Sequence, residues 1–263
     1  MSYFYSGAAL PPLRIGISPP IRFDELLFLL EMNGRKRDRE NIRAVRRFID
    51  MKNAKALLMG RTIDGRGNMT ERDLANALEN RFSPSPDFPD YLIAHLKRYD
   101  TTADRVARFG AVFVAFFDEM ARKSTSSGGF LRFYFTFERE FGLLMAGFRA
   151  RRLHLDPTKE LLDEDPKDPL VAMIIGQKEQ SQYVFPPEYE ELSELLNEVG
   201  NDPMKQHRAM IRYRFDTIFR EVRDRPFSSD FLSVYFVGHL LVQDSVVSNP
   251  EEGQRKLEEI ASG

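Results

Sequence analysis

The densest group of chemically capable side chains is a run of cations: Arg35, Lys36, Arg37 and Arg39, continued by Arg43, Arg46 and Arg47. Arg39, Arg43, Arg46 and Arg47 recur at three- and four-residue intervals, so on a helix they form one basic stripe able to face phosphates or an acidic protein. A solvated helix face is the commoner use of such a run. Thirty-eight Lys+Arg balance 40 Asp+Glu, for a formal net charge of −2 over 263 residues. No whole-molecule field therefore recruits a polyanion, and nucleic acid is not expected as the main partner.

Other chemistries find less. The four histidines, His95, His154, His207 and His239, stand far apart, with neither HxxxH nor HExxH spacing for zinc. His239 falls in an apolar run and reads as a hydrogen-bonded core histidine; the other three read as surface residues. The acidic stretch Asp163, Glu164, Asp165 and Asp168 lacks the alternating ligands, central Gly and closing Glu of a calcium loop, and reads as solvated. The glycine-bearing segment 60–68 is not followed by Gly-Lys-Ser/Thr and reads as an interhelical turn. GxSxG and SxxK are absent. Glu138 and Glu140 are two apart and diverge on a helix, so they form no acid/base dyad. The chain has no cysteine, which rules out disulfides, thiolate nucleophiles and thiolate metal sites. No catalytic residue, metal site or cofactor is expected.

The elements that must hold these groups are helical almost throughout. Apolar residues recur with three- and four-residue spacing, and few stretches alternate as a half-buried strand would. Expected helices cover residues 23–32, 38–59, 70–80, 91–99, 102–122, 130–153, 170–183, 188–199, 203–223, 229–247 and 250–261. Gly34 is placed to end the first in a left-handed conformation. Thr70 with Asp73 approximates a capping box, and Asp202-Pro203 and Asn249-Pro250 each supply a cap followed by proline. The helix over 130–153 is apolar nearly all round and must be buried on several sides. Residues 156–169 hold three prolines and five further acids after Asp156, the composition of a surface linker.

Boundaries at the Ser/Gly-rich stretch near 125 and in the acidic linker divide the chain into 1–125 (N-terminal helical modules), 126–168 (central aromatic helix and acidic linker) and 169–263 (C-terminal helical module). One internal repeat aligns Phe23, Leu26, Leu30 and Gly34 with Tyr189, Leu192, Leu196 and Gly200, each copy followed by a longer Arg-rich helix. The apolar runs at 111–117 and 231–242 fall short of the roughly 20 residues of a membrane span. The opening residues lack the charged start of a secretory signal.

Three stretches carry a resemblance. They are Tyr3, Phe4 and Tyr5 with Ala8, Ala9, Leu10, Pro11, Pro12 and Leu13; Phe137-Glu138-Arg139-Glu140 with Ala146, Gly147, Phe148, Arg149, Ala150, Arg151 and Arg152; and Arg214-Phe215-Asp216-Thr217-Ile218-Phe219 with Phe227, Tyr235, Phe236, Leu240, Leu241 and Gly253. In order and coverage they resemble a bacterial family encoded beside V-type ATPase genes, itself similar to the C subunit of V/A-type ATPases, which is the d subunit in eukaryotes. The resemblance implies an all-α fold of about ten to twelve helices in repeated, funnel-like modules. It also implies a non-catalytic central-stalk role coupling the rotating shaft to the membrane rotor ring. The partners would be rotor-ring and central-stalk subunits, with no small-molecule substrate and no cofactor, and the location cytoplasmic and peripheral to the membrane. The chain is shorter than typical C subunits, which carry three modules, and its residues 243–247 depart from the aromatic, charged run expected after Leu241. On the residues alone the alternative is a helical module binding nucleic acid or an acidic protein through Arg35, Lys36, Arg37, Arg39, Arg43, Arg46 and Arg47.

Overall fold

The computed structural model describes residues 10–79, 88–124, 129–180, 182–224, 228–246 and 258. Among them the fold is all-α, with twelve α-helices and no strand. In chain order these are α1 (Phe23–Asn33), α2 (Lys36–Leu58), α3 (Glu71–Glu79), α4 (Asp90–Arg98), α5 (Thr102–Ala107), α6 (Gly110–Ser124), α7 (Phe130–Arg152), α8 (Pro157–Glu160), α9 (Pro169–Gly176), α10 (Glu190–Val199), α11 (Pro203–Glu221) and α12 (Ser229–Ser245). No described helix is long and apolar enough to cross a membrane. The helix expected over 250–261 and the first residues of the resemblance lie outside the described residues.

Local chemistry sets most helix ends. Thr70 and Asp73 exchange bonds as a capping box, Asp73 N–H to Thr70 Oγ1 and Thr70 N–H to Asp73 Oδ2, both 3.2 Å. Asp202 caps α11 through the N–H groups of Met204 and Lys205, with Pro203 at the first helical position. The same Asp-Pro device opens two helices inside and at the end of the expected linker: Asp156 caps α8 and Asp168 caps α9. Gly34 is not left-handed. Its φ is −71°, and glycine is needed because a Cβ would run into the Leu30 carbonyl oxygen.

The stretch 102–122 is not one helix. It breaks at Arg108 and Phe109, where Phe109 turns fully into the core against His95 (5.4 Å) and Phe113 (5.6 Å). Asp163 fills the space where a side chain on residue 110 would stand, so glycine resumes the helix there.

The chain forms two compact units, each assembled from separated stretches and cutting across the sequential division at 125 and 168. The first unit takes the described residues of Met1–Ile42, Gly128–Tyr134 and Gln182–Ala261. Within it α12 packs on α11 and α1, and α10 packs on α11. Both copies of the internal repeat fall in this unit, and both bury the same pair of positions, Leu26 and Leu30 in α1, Leu192 and Leu196 in α10. At Gly238 of α12 the two helices come close: a Cβ there would lie 2.5 Å from Phe219 Cε2 of α11.

The second unit takes the described residues of Arg43–Ser127 and Phe135–Ser181. Its core is aromatic: Phe48 of α2 stacks on Phe116 of α6 (5.3 Å, 16° between planes), and Phe135 of α7 meets Phe116 edge-on at 5.1 Å. His95 of α4 lies at the rim of this core, its Nε2–H donating to the Arg105 carbonyl at 2.9 Å.

Two outcomes follow from this packing. Gly238→Val is expected to cost more than about 2 kcal/mol by overpacking against Phe219; in urea unfolding, Phe219→Ala should add much less on top of it than in the wild-type chain, because both act on one contact. Burial lowers the His95 pKa below its ordinary value, and its bond to the Arg105 carbonyl offsets this only in part. The unfolded chain then takes up a proton near pH 6.5 that the folded chain refuses until lower pH, so this contribution is complete above about pH 6.5 and is lost as pH falls below it. Thermal melts of wild type and His95→Gln from pH 7.5 to 5 should show a smaller acid-side loss in the variant.

Candidate partner-docking surface

At the start of α2, the first unit presents two opposite chemistries. The inner side is hydrogen-bonded: Asp38, 1% exposed, accepts the Arg35 backbone N–H at 2.7 Å and the Ser229 hydroxyl, and Asn41 donates to Ser233 Oγ at 3.1 Å. A buried carboxylate is tolerable only with such donors around it. Arg35, Lys36, Arg37 and Arg39 are all exposed. Lys36 pairs loosely with Glu40 at 3.8 Å. Arg39 folds back over the end of α1, its guanidinium donating to the carbonyls of Glu31 (3.2 Å) and Gly34 (3.3 Å). Cations at a helix C-terminus satisfy its orphan carbonyls and oppose its dipole.

The remaining cations belong to the second unit and are used differently. Arg43 is exposed. Arg46 donates to the carbonyls of Arg66 (3.1 Å) and Gly67 (2.5 Å), and Arg47 pairs with Glu119 at 3.5 Å. Arg46 is one of three α2 residues, with Asp50 and Asn53, that share a face at four- and three-residue spacing and grip the loop before α3. Asp50 accepts the Met69 N–H (3.1 Å) and the Asn68 amide (2.9 Å), while Asn53 exchanges two 2.8 Å bonds with the backbone of Asp64. Gly67 is glycine because a Cβ there would meet the Asp50 carboxylate. Burial raises the Asp50 pKa, and the bonds from Met69 and Asn68 and the charge of Arg46 counter it in part. The glycine-bearing segment is therefore an interhelical turn held from one side by α2.

Other expected site residues also find structural roles. The acidic linker is not simply solvated: Arg139 of α7 holds Glu164 (2.7 Å) and Asp168 (2.9 Å), and Arg108 holds Asp163 (2.9 Å). Among these, Arg139 draws the Asp168 pKa down against the opposing effect of burial. His239, fully buried, donates from Nε2 to the Ile21 carbonyl at 2.7 Å. His95 and His207 are buried rather than on the surface. His207 donates to the Asp244 carbonyl at 3.0 Å. A carbonyl oxygen ahead of each ring decides these positions, and no spacing in the sequence announces it.

Apolar side chains that the sequence did not single out stand in solvent in each unit. In the first they include Phe28, Leu29 and Met32 of α1, with Phe28 62% and Met32 67% exposed, besides Ile17, Val184 and Val246. In the second they include Leu153, Leu155 and Leu162, which follow the end of α7, with Leu153 56% and Leu162 57% exposed, besides Met59. Large apolar residues left in water close together mark surfaces that bind other molecules.

Comparison with known proteins matches a family model described as "Protein of unknown function (DUF2764)" to residues 1–262. An uncharacterised protein of Chlamydia muridarum is 28% identical over 249 residues, covering 94% of this chain and 92% of its own. Uncharacterised proteins of Chlamydia trachomatis (27% over 249 residues, 94% and 92%) and Chlamydia pneumoniae (27% over 263 residues, 99% and 98%) are similar to the same extent. No solved structure matches the chain.

The division of the basic run into tethered and outward-facing members is testable. Arg46→Ala and Asp50→Ala each leave buried polar groups of the loop without their partner, so each is expected to cost about 1–3 kcal/mol and to speed tryptic cleavage at Arg61 and Arg66. Arg43→Ala should stay within about 0.5 kcal/mol of wild type with unchanged cleavage.

Proposed function

The chain belongs to the family described as Protein of unknown function (DUF2764), and we propose that it is a non-catalytic coupling subunit of a V/A-type rotary ATPase, similar to the C subunit of those complexes (the d subunit in eukaryotes). In this role it links the rotating central shaft to the membrane rotor ring, sits peripherally on the cytoplasmic side of the membrane, and works by shape and surface charge. The observation that carries the reading is where the residues bearing the resemblance lie. Phe137, Glu138, Ala146 and Ala150 are buried on α7, with Arg139 and Arg149 tied to the acidic stretch beyond it (Arg149 to Glu160, 4.0 Å). Arg214, Ile218, Tyr235, Phe236, Leu240 and Leu241 are buried on α11 and α12. Part of the likeness therefore falls on residues that build the cores of the two units, which is what two chains sharing a helical scaffold would share.

Further support comes from the exposed leucines after α7, which suit a protein that meets its neighbours in a complex over apolar surface. A coupler needs stiff bodies, and the aromatic packing of Phe48, Phe116 and Phe135 provides one within the second unit.

Affinity purification of the tagged chain from gently solubilised native membranes, followed by mass spectrometry, should recover rotor-ring and central-stalk subunits in stoichiometric amounts. Leu153→Glu with Leu162→Glu should reduce that recovery several-fold while leaving the melting temperature within a few degrees of wild type. Recovery of the chain alone, or with nucleic acid in the soluble fraction, would overturn the proposal.

A further inference from the structure

The outer face of α1 is apolar where its counterpart in the same unit is charged. α1 and α10 bury equivalent leucines, Leu26 with Leu192 and Leu30 with Leu196. On the outer side α10 places Glu194 and Glu198, both exposed, at the positions where α1 places Phe28 and Met32. The α10 pattern is that of a helix whose back faces water. Phe28 and Met32 are four apart, so they stand one above the other on a single stripe with Glu25 and Leu29 beside them. One exposed hydrophobic residue is ordinary, but three adjacent ones on a stripe of this kind are not.

The charges along this stripe indicate what would cover it. Its N-terminal end carries Asp24 and Glu25, exposed, with Arg22 paired to Glu25 at 3.4 Å. Its C-terminal end turns at Gly34 and exposes Arg35 and Lys36, with Arg39 folded over the last carbonyls and Glu31 exposed beside Phe28. An acidic end, an apolar middle and a basic end make a pattern complementary to itself when reversed. The pairs 24 with 36, 25 with 35 and 28 with 32 are all centred on residue 30. A two-fold axis there would bring the acidic end of one copy's α1 toward the basic turn that follows the other's, and each Phe28 against a Met32. An anionic lipid surface fits less well, because Asp24, Glu25 and Glu31 would face it.

We propose that the outer face of α1 is a self-association surface on which a second copy of this chain docks its own α1 antiparallel, Phe28 against Met32 and Asp24 and Glu25 opposite Lys36 and Arg35. Such a contact is isologous and closes on itself as a dimer. It goes beyond the coupling role, which assigns no second copy, and its failure would leave that role untouched. An interface centred on one three-turn helix belongs to the weak, concentration-dependent class.

Sedimentation velocity of the full chain at concentrations up to about 200 µM, a range suited to weak interfaces, should show a monomer–dimer equilibrium. Phe28→Glu with Met32→Glu, which copies the outer face of α10, should be monomeric and keep the wild-type circular dichroism. Asp24→Lys with Glu25→Lys puts positive charge at both ends, and Arg35→Glu with Lys36→Glu puts negative charge at both ends. Each should be monomeric alone, and an equimolar mixture should dimerise again. That rescue would not occur if the substitutions merely loosened α1. A wild-type chain that stays monomeric throughout, dimers of either charge variant equal to wild type, or a dimer that survives Phe28→Glu with Met32→Glu would overturn the proposal. Wild-type monomers that bind anionic vesicles through Phe28 and Met32 would overturn it in favour of a lipid surface.

Discussion

A helix buried on every side must have its polar groups met by other parts of the chain, and α12 imposes that demand on the first unit. Its side chains are almost all inaccessible, including Ser233, His239 and Ser245. The donors and acceptors that answer them come from distant segments: Asn41 for Ser233, the carbonyl of Ile21 for His239, the carbonyl of Pro11 for the Tyr235 hydroxyl (2.8 Å), and the Gly16 N–H for Ser245 (2.8 Å). Each is a bond that, if lost, would strand a polar atom in an apolar interior. The segment before α1 is thereby fixed at several points along α12, and α1 inherits its orientation. Its inner leucines turn inward, and Phe28, Leu29 and Met32 have nowhere to go but out.

The second unit obeys a related constraint with charges in place of single hydrogen bonds. α2 offers an aromatic face at Phe48 and a polar face at Arg46, Asp50 and Asn53. One builds the core and the other ties down the turn that follows. α7 does the same with Phe135 on one side and Arg139 on another, the guanidinium gathering two carboxylates of the acidic stretch. An arginine shared by Glu164 and by the helix cap Asp168 joins a long helix to the start of a short one. Long helices with two working faces suit a scaffold, whose purpose is to present surfaces at fixed spacing within each body.

The exposed surfaces are then what remains for function. The cationic run divides into members consumed by the fold and members left exposed, and exposed apolar residues include Phe28, Leu29 and Met32 of α1 in one unit and Leu153, Leu155 and Leu162 beyond α7 in the other. On α1 the exposed apolar residues lie between exposed acids at one end and exposed bases at the other.

The sequence by itself determined the helical class, most helix ends and the burial of the aromatic helix, because these depend on three- and four-residue spacing and on capping chemistry between near neighbours. Thr70 with Asp73 and Asp202 with Pro203 are legible for that reason, and Asp156-Pro157 and Asp168-Pro169 carried the same signal within a composition that resembled a linker. Only the tertiary structure decided which cations the fold consumes. Arg46 and Arg43 are indistinguishable as members of a helical stripe, yet one closes a turn twenty residues on and the other faces water. His95 and His207 gave no sign of burial, since each meets a carbonyl brought close by folding, and His95 also the ring of Phe109. The left-handed turn expected at Gly34 gave way to a steric cause, the Leu30 carbonyl. The order of charges along α1 was written in the sequence, but its exposure depended on α12, whose burial turned the other side of that helix inward.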